Sequence, residues 1–127
     1  MTSWLGSLRS VLLADAEVLA AVGTRIYLVL PQLPTFPAIV IGGVATNQDG
    51  VLDFVNTVAQ VTVWDTDYTR CQEIAKTVRY ALQRYKGRVG GIRFEGITFI
   101  NEMEITDPDT GRYTRPADYR LNYWEEE

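Results

Sequence analysis

At 127 residues with a formal charge of −4, the chain has the length of one domain able to bury its own core without a metal or a disulfide. Histidine is absent, which excludes Ser-His and Cys-His nucleophiles, His-ligated metals and the commonest general base. The lone Cys71 excludes an internal disulfide and thiolate zinc sites.

The first residues lack the basic start of a secretory signal, and Arg9 interrupts their apolar stretch, so an intracellular chain is expected. The longest clean apolar run, "AIVIGGVA", falls far short of the roughly 18 residues of a membrane span. Trp4, Leu5, Leu8, Val11 and Leu12 recur at helical spacing, with Thr2 or Ser3 as N-cap. A second short helix is expected from Asp15 to a stop at Gly23. "RIYLVL" is extended, and "PQLPTFPA", with three prolines, is a loop.

From Ala38 the pattern becomes that of strands. In "FVNTVAQVTVW" the residues Val55, Thr57, Ala59, Val61 and Val63 share one face. Between the first two strands, "ATNQDGVLDF" is expected to project as a loop. The clearest helix is "DTDYTRCQEIAKTVRYALQRYKG", capped by Asp65 or Thr66 and ended by Gly87. Its apolar stripe is Cys71, Ile74, Ala75, Val78, Ala81, Leu82 and Tyr85, which makes Cys71 an inert core thiol. Two alternating runs then flank "DPDTG", an Asx turn with a preset proline and a glycine able to take positive φ. Pairing Thr106 with Arg112 sets Ile105 against Tyr113, Phe99 against Tyr119 and Ile97 against Leu121. Pro116 calls for an open edge or a bulge. The expectation is a single α+β domain over residues 1–127. It has a four-stranded, mainly antiparallel sheet, β-β-α-β-β after an N-terminal helix, with helices on one face.

Charge is uneven along the chain. Residues 70–93 carry +6, residues 94–127 carry −6 and residues 1–69 carry −4. The pair Glu102 and Glu104 reads as the solvated side of the hairpin, because strand alternation alone explains it. "YKGRVGGIRF" follows a helix and precedes a strand, the reverse of a Walker loop or a dinucleotide fingerprint. Its "GRVG" matches a bare GxxG clamp, so one reading is a small nucleic-acid-binding module using the basic segment Arg84 to Arg93.

The combination of "LADAEVLAAVGTRIYLVLPQ", "FPAIVIGG", "AQVTVWDTDYTRCQEIAKTVRYAL" and "DPDTGRYTRPADYRLNYWEE" resembles the tail completion or tail terminator family of long-tailed bacteriophages. The order of segments is kept over nearly the whole chain, and prophage and gene transfer agent relatives are alike at this level. The recurring pattern includes Asp15, Gly23, Ile26, Tyr27, Trp64, Thr110, Gly111, Asp118 and Tyr123, most of which read as maintaining the fold. The resemblance implies an α+β subunit without cofactor or catalytic residues that assembles into a ring, usually of six copies. That ring stops polymerisation of the tail tube and presents a surface to the head-side connector or stopper. It implies a place in the virion tail, assembly in the bacterial host cytoplasm, and DNA passing through the channel without specific binding; no membrane is involved.

A ring needs two unlike surfaces. The charge layout suggests that Arg84, Lys86, Arg88 or Arg93 of one copy faces Glu102, Glu104 or Asp109 of its neighbour. The loop with Gln48, Asp49, Val51, Leu52 and Phe54 is expected to order against the tube or a neighbouring copy.

Overall fold

The computed structural model describes residues 4–48, 54–83 and 85–125, with residues 45–48 as backbone only. Helices α1 (Trp4–Ala14) and α2 (Ala16–Val22) lead into β1 (Ile26–Tyr27), β2 (Ala38–Gln48) and β3 (Phe54–Asp65). Helix α3 (Tyr68–Gln83) follows, then β4 (Gly87–Val89), β5 (Ile92–Glu102), β6 (Ile105–Asp107) and β7 (Arg112–Glu125). The class is α+β as expected, but among the described residues the sheet has seven strands and not four, in the order β1-β2-β3-β7-β5-β4 with β6 also on β7. The additional strands are two or three residues long, too short to leave an alternation in the sequence.

At the centre of the sheet, β3 and β7 run antiparallel from Phe54 opposite Trp124 to Asp65 opposite Tyr113. Val55, Thr57, Ala59, Val61, Val63 and Asp65 are buried while their alternates are at least partly exposed, as a strand covered on one face requires. The cover is helical. Cys71, Ile74, Ala75, Val78 and Leu82 of α3 join Leu8, Val11 and Leu12 of α1 and Val18 and Val22 of α2 in one core. Each large apolar side chain sealed there contributes about 1.5–3 kcal/mol.

Helix α1 touches both ends of the strand order. Ser7 Oγ donates to Val89 O in β4 at 3.2 Å, and a Cβ at Gly43 in β2 would lie 3.1 Å from the Trp4 ring. The sheet therefore curls around the helices, with α1 in the gap between its two edges.

Asp15 caps α2, accepting from the N–H groups of Glu17 and Val18 at 3.0 Å each, and Gly23 ends it at φ 62°. The cap of α3 is neither Asp65 nor Thr66: Asp67 accepts from Arg70 N at 2.9 Å. Asp65 continues the buried alternation of β3 and points inward, leaving the second carboxylate of "DTD" for the cap.

The hairpin follows expectation in its middle and departs from it at its tip. Phe99 faces Tyr119 and Ile97 faces Leu121, as expected. At the tip, Asp107 pairs with Arg112, Thr106 with Tyr113 and Ile105 with Thr114, one residue away from the expected register. A tighter turn, closed by Gly111 N donating to Asp107 O at 2.9 Å, causes the slip, and an irregularity between Phe99 and Asn101 absorbs it. Ile105 is consequently exposed. Pro116 lies in a central strand and not at an open edge. The line of β5 and β6 is broken opposite Arg115 and Pro116, with Met103 N donating to Pro116 O at 2.9 Å.

Candidate assembly surfaces

The two acidic residues singled out in the sequence lie at this break and already have a partner. Arg115 Nε donates to Glu102 Oε1 at 2.7 Å, and Arg115 Nη1 lies 3.5 Å from Glu104 Oε1. The Arg115 and Glu102 side chains are 18% and 16% exposed, so Glu102 is not the solvated residue that alternation suggested. The reason is the bulge, which turns Glu102 to the helical face beside Arg115. Tyr68 hydrogen-bonds Glu104, which raises its phenol above the ordinary value. Asp109 is exposed at the hairpin tip, while Asp107 holds the turn by accepting from Asp109 N at 3.1 Å. The Thr110 hydroxyl keeps the Asp107 carboxyl below its usual range.

Among the basic candidates, Arg84 lies outside the described residues. Lys86 is exposed, and Arg88 and Arg93, also exposed, are register partners across β4 and β5. Arg93 lies 3.6 Å from Glu95 and 5.9 Å from the centre of the Trp124 ring. The structure thus gathers Lys86, Arg88 and Arg93 at one end of β5 and Glu102 and Glu104 at the other. At about 3.3 Å per residue the ends are some 30 Å apart. "GRVG" forms β4 and its turn into β5, so it lacks the helix on each side that a GxxG clamp needs.

Of the loop expected from Ala45 to Phe54, residues 45–48 belong to β2 and Phe54 begins β3. Ala45 pairs with Val58 and Gln48 with Val55, and the Phe54 ring lies 4.9 Å from that of Trp124. The backbone alternation continues through "ATNQ" because β3 is long enough to pair with it. Asp49, Val51 and Leu52 lie outside the described residues.

Two apolar patches escaped the sequence reading. Leu28, Val29 and Leu33, the last two 81% and 93% exposed, lie in the segment joining β1 to β2. Ile100, Met103 and Ile105 are exposed along β5 and β6 at the other side of the sheet. Four apolar residues between and before the prolines of "LVLPQLP" are a signal that composition averages away. Next to the second patch, Gln72, Glu73, Lys76, Arg79, Glu102 and Arg115 line an open cleft of 330 Å³. Arg79 lies over the Phe99 ring at 5.2 Å and Lys76 over the Tyr80 ring at 5.7 Å. Among the described residues, the buried Tyr119 hydroxyl and Arg115 Nη1 lack a hydrogen-bond partner. Also among them, no group of three or more Cys, Asp or Glu side chains could hold a metal ion, and no helix is long and apolar enough to cross a membrane.

Comparison with known proteins agrees with this architecture. A chain from the virion of a native gene transfer agent particle superposes with a TM-score of 0.80 over 94% of this chain and 93% of its own. The two are 18% identical, which speaks to the shared fold. No individual curated protein sequence matches. The family described as tail completion protein gp17 matches residues 6–123, from α1 almost to the end of β7. The chain belongs to that tail completion family, and its place is among the structural proteins of the virion tail.

Proposed function

We propose that the chain is a tail terminator: copies close into a ring, with six as the expected number, on the finished tail tube. The ring ends tube polymerisation and presents its free surface to the head-side connector or stopper protein. Family membership over residues 6–123 carries this reading. The fold shared with a chain of a gene transfer agent virion supports it. The role is mechanical, needing no cofactor and no turnover, and DNA crosses the channel without specific contacts. The charge contact of Arg84, Lys86, Arg88 or Arg93 of one copy with Glu102, Glu104 or Asp109 of its neighbour is part of this reading; Arg115 of the same subunit competes for Glu102 and Glu104, while Asp109 is exposed.

Deletion of the coding sequence from the parent particle tests the function. Tails of uncontrolled length without heads are expected in electron micrographs. Tails of normal length that accept heads overturn the proposal.

A further inference from the structure

On the ring reading, on which this contact rests, each copy offers two unlike surfaces to its neighbours. The sheet has two unlike open edges. β1 covers β2 only at Ile39 and Val40, and β4 covers β5 only at Ile92, Arg93 and Phe94. Among the described residues, no strand pairs with the outer side of residues 41–48 in β2 or of residues 95–102 in β5. Bulges interrupt both edges, between Gly43 and Ala45 in β2, and at Phe94/Gly96 and Phe99/Asn101 in β5. Past the first bulge, residues 45–48 are regular, and between the other two, residues 96–99 are. Helix α1 meets the edges at Gly43 and Val89, outside both regular stretches.

We propose that residues 45–48 of one copy pair, as an antiparallel strand, with residues 96–99 of the next. Ala45 then lies opposite Thr98, Thr46 opposite Ile97 and Asn47 opposite Gly96. A row of open N–H and C=O groups is matched by another extended strand, which fixes the chemistry of the occupant. The chain itself supplies that strand, because its two open stretches are complementary in length, direction and height. Each stretch is four residues long. Successive antiparallel pairings, β2 with β3, β3 with β7 and β7 with β5, make β2 and β5 run in opposite directions. Through β3, Ala45, Thr46 and Asn47 align with Arg120, Leu121 and Asn122 of β7. Thr98, Ile97 and Gly96 pair with the same three residues from the other side. A second copy turned about an axis along the strands therefore brings the two stretches together without sliding along them. A heterologous contact that turns without rising closes into a ring, whereas one that rises grows into a filament. The bulges at the ends of the stretches stop the pairing there and hold its register.

The test uses tails assembled with the full chain. Directly opposed residues of an antiparallel pair have Cα atoms about 4.5–5.5 Å apart, within reach of a disulfide. Mild oxidation of the double variant Ala45→Cys with Thr98→Cys should therefore give a ladder of covalent multiples. Gln48→Cys with Thr98→Cys, three positions out of register and about 10 Å away, should give none. Neither should any single variant, since Cys71 is buried. In a second arm, amide hydrogen exchange of the unmodified protein should slow at least tenfold within residues 45–48 and 96–99 when subunits enter tails. Dimers from the single variant Ala45→Cys mean that like edges pair, and overturn the contact. Normal-length tails that hold the protein, yet show neither the ladder nor the slowed exchange, overturn the contact and leave the ring intact. Tails that need no copy of the protein overturn the function itself.

Discussion

Arg70, in the first turn of α3, donates from Nε to Asp65 Oδ2 at 2.7 Å and from Nη2 to Asp65 Oδ1 at 2.6 Å, joining helix to sheet through a fully buried carboxylate. Thr66 N and Asp67 N add hydrogen bonds at 2.7 and 3.3 Å. Burial alone would raise this carboxyl, but the guanidinium and the two backbone donors outweigh it and hold the carboxyl below 3.8. A carboxyl lowered by folding stabilises the native state above its unfolded value, and that contribution disappears as pH falls through the folded value. Asp65→Asn should therefore cost about 2 kcal/mol at neutral pH and less near pH 3. Chemical denaturation at both pH values checks it, and an equal loss at each would contradict the linkage.

The contact between Arg115 and Glu102 predicts a coupling within one subunit. Both side chains are largely buried, so a double-mutant cycle with Arg115→Ala and Glu102→Ala should give a coupling of about 1–2 kcal/mol. The readout is the monomer's unfolding midpoint. A coupling near zero would mean that these groups are free to face another copy.

Gly111 has φ 68° at the end of the hairpin turn, a region that costs a side chain with a Cβ about 1 kcal/mol or more. Gly111→Val should lower stability by at least that amount and Gly111→Asn by less, as asparagine tolerates this conformation better. Thermal unfolding of the two variants decides the order. Space is not the issue, because a Cβ there would meet nothing within 4 Å.

Cys71 is fully buried, and burial pushes its thiol up to about 11, with Tyr123 pushed up to about 12 for the same reason. Both groups are neutral in the fold. Their contribution is complete below the unfolded values and declines as pH rises toward the folded ones, for Cys71 between 9.0 and about 11. Native protein at pH 8 should react with a thiol reagent only at its unfolding rate, and stability should fall across that alkaline window. Immediate labelling of the folded chain would contradict the burial of Cys71.

The periodic parts of this protein could be read without coordinates. The stripe from Cys71 to Leu82 and the alternation from Val55 to Val63 each repeat over enough residues to show which face is buried. Asp15 and Gly23 mark the ends of α2 by local backbone chemistry alone. The turn residues of "DPDTG" located the hairpin for the same reason.

Other features were decided only by the tertiary structure, because they depend on what lies across space. Short strands such as β1 and β4 exist because a long neighbour offers them hydrogen bonds, and two or three residues contain no period to read. The bulge after Phe99 returns the apolar pairs to register despite a shorter turn, which brings Glu102 to Arg115, 13 positions away in sequence. Local propensity and periodicity act along the chain, whereas bulges, ion pairs and exposed apolar flanks follow from contacts between distant segments.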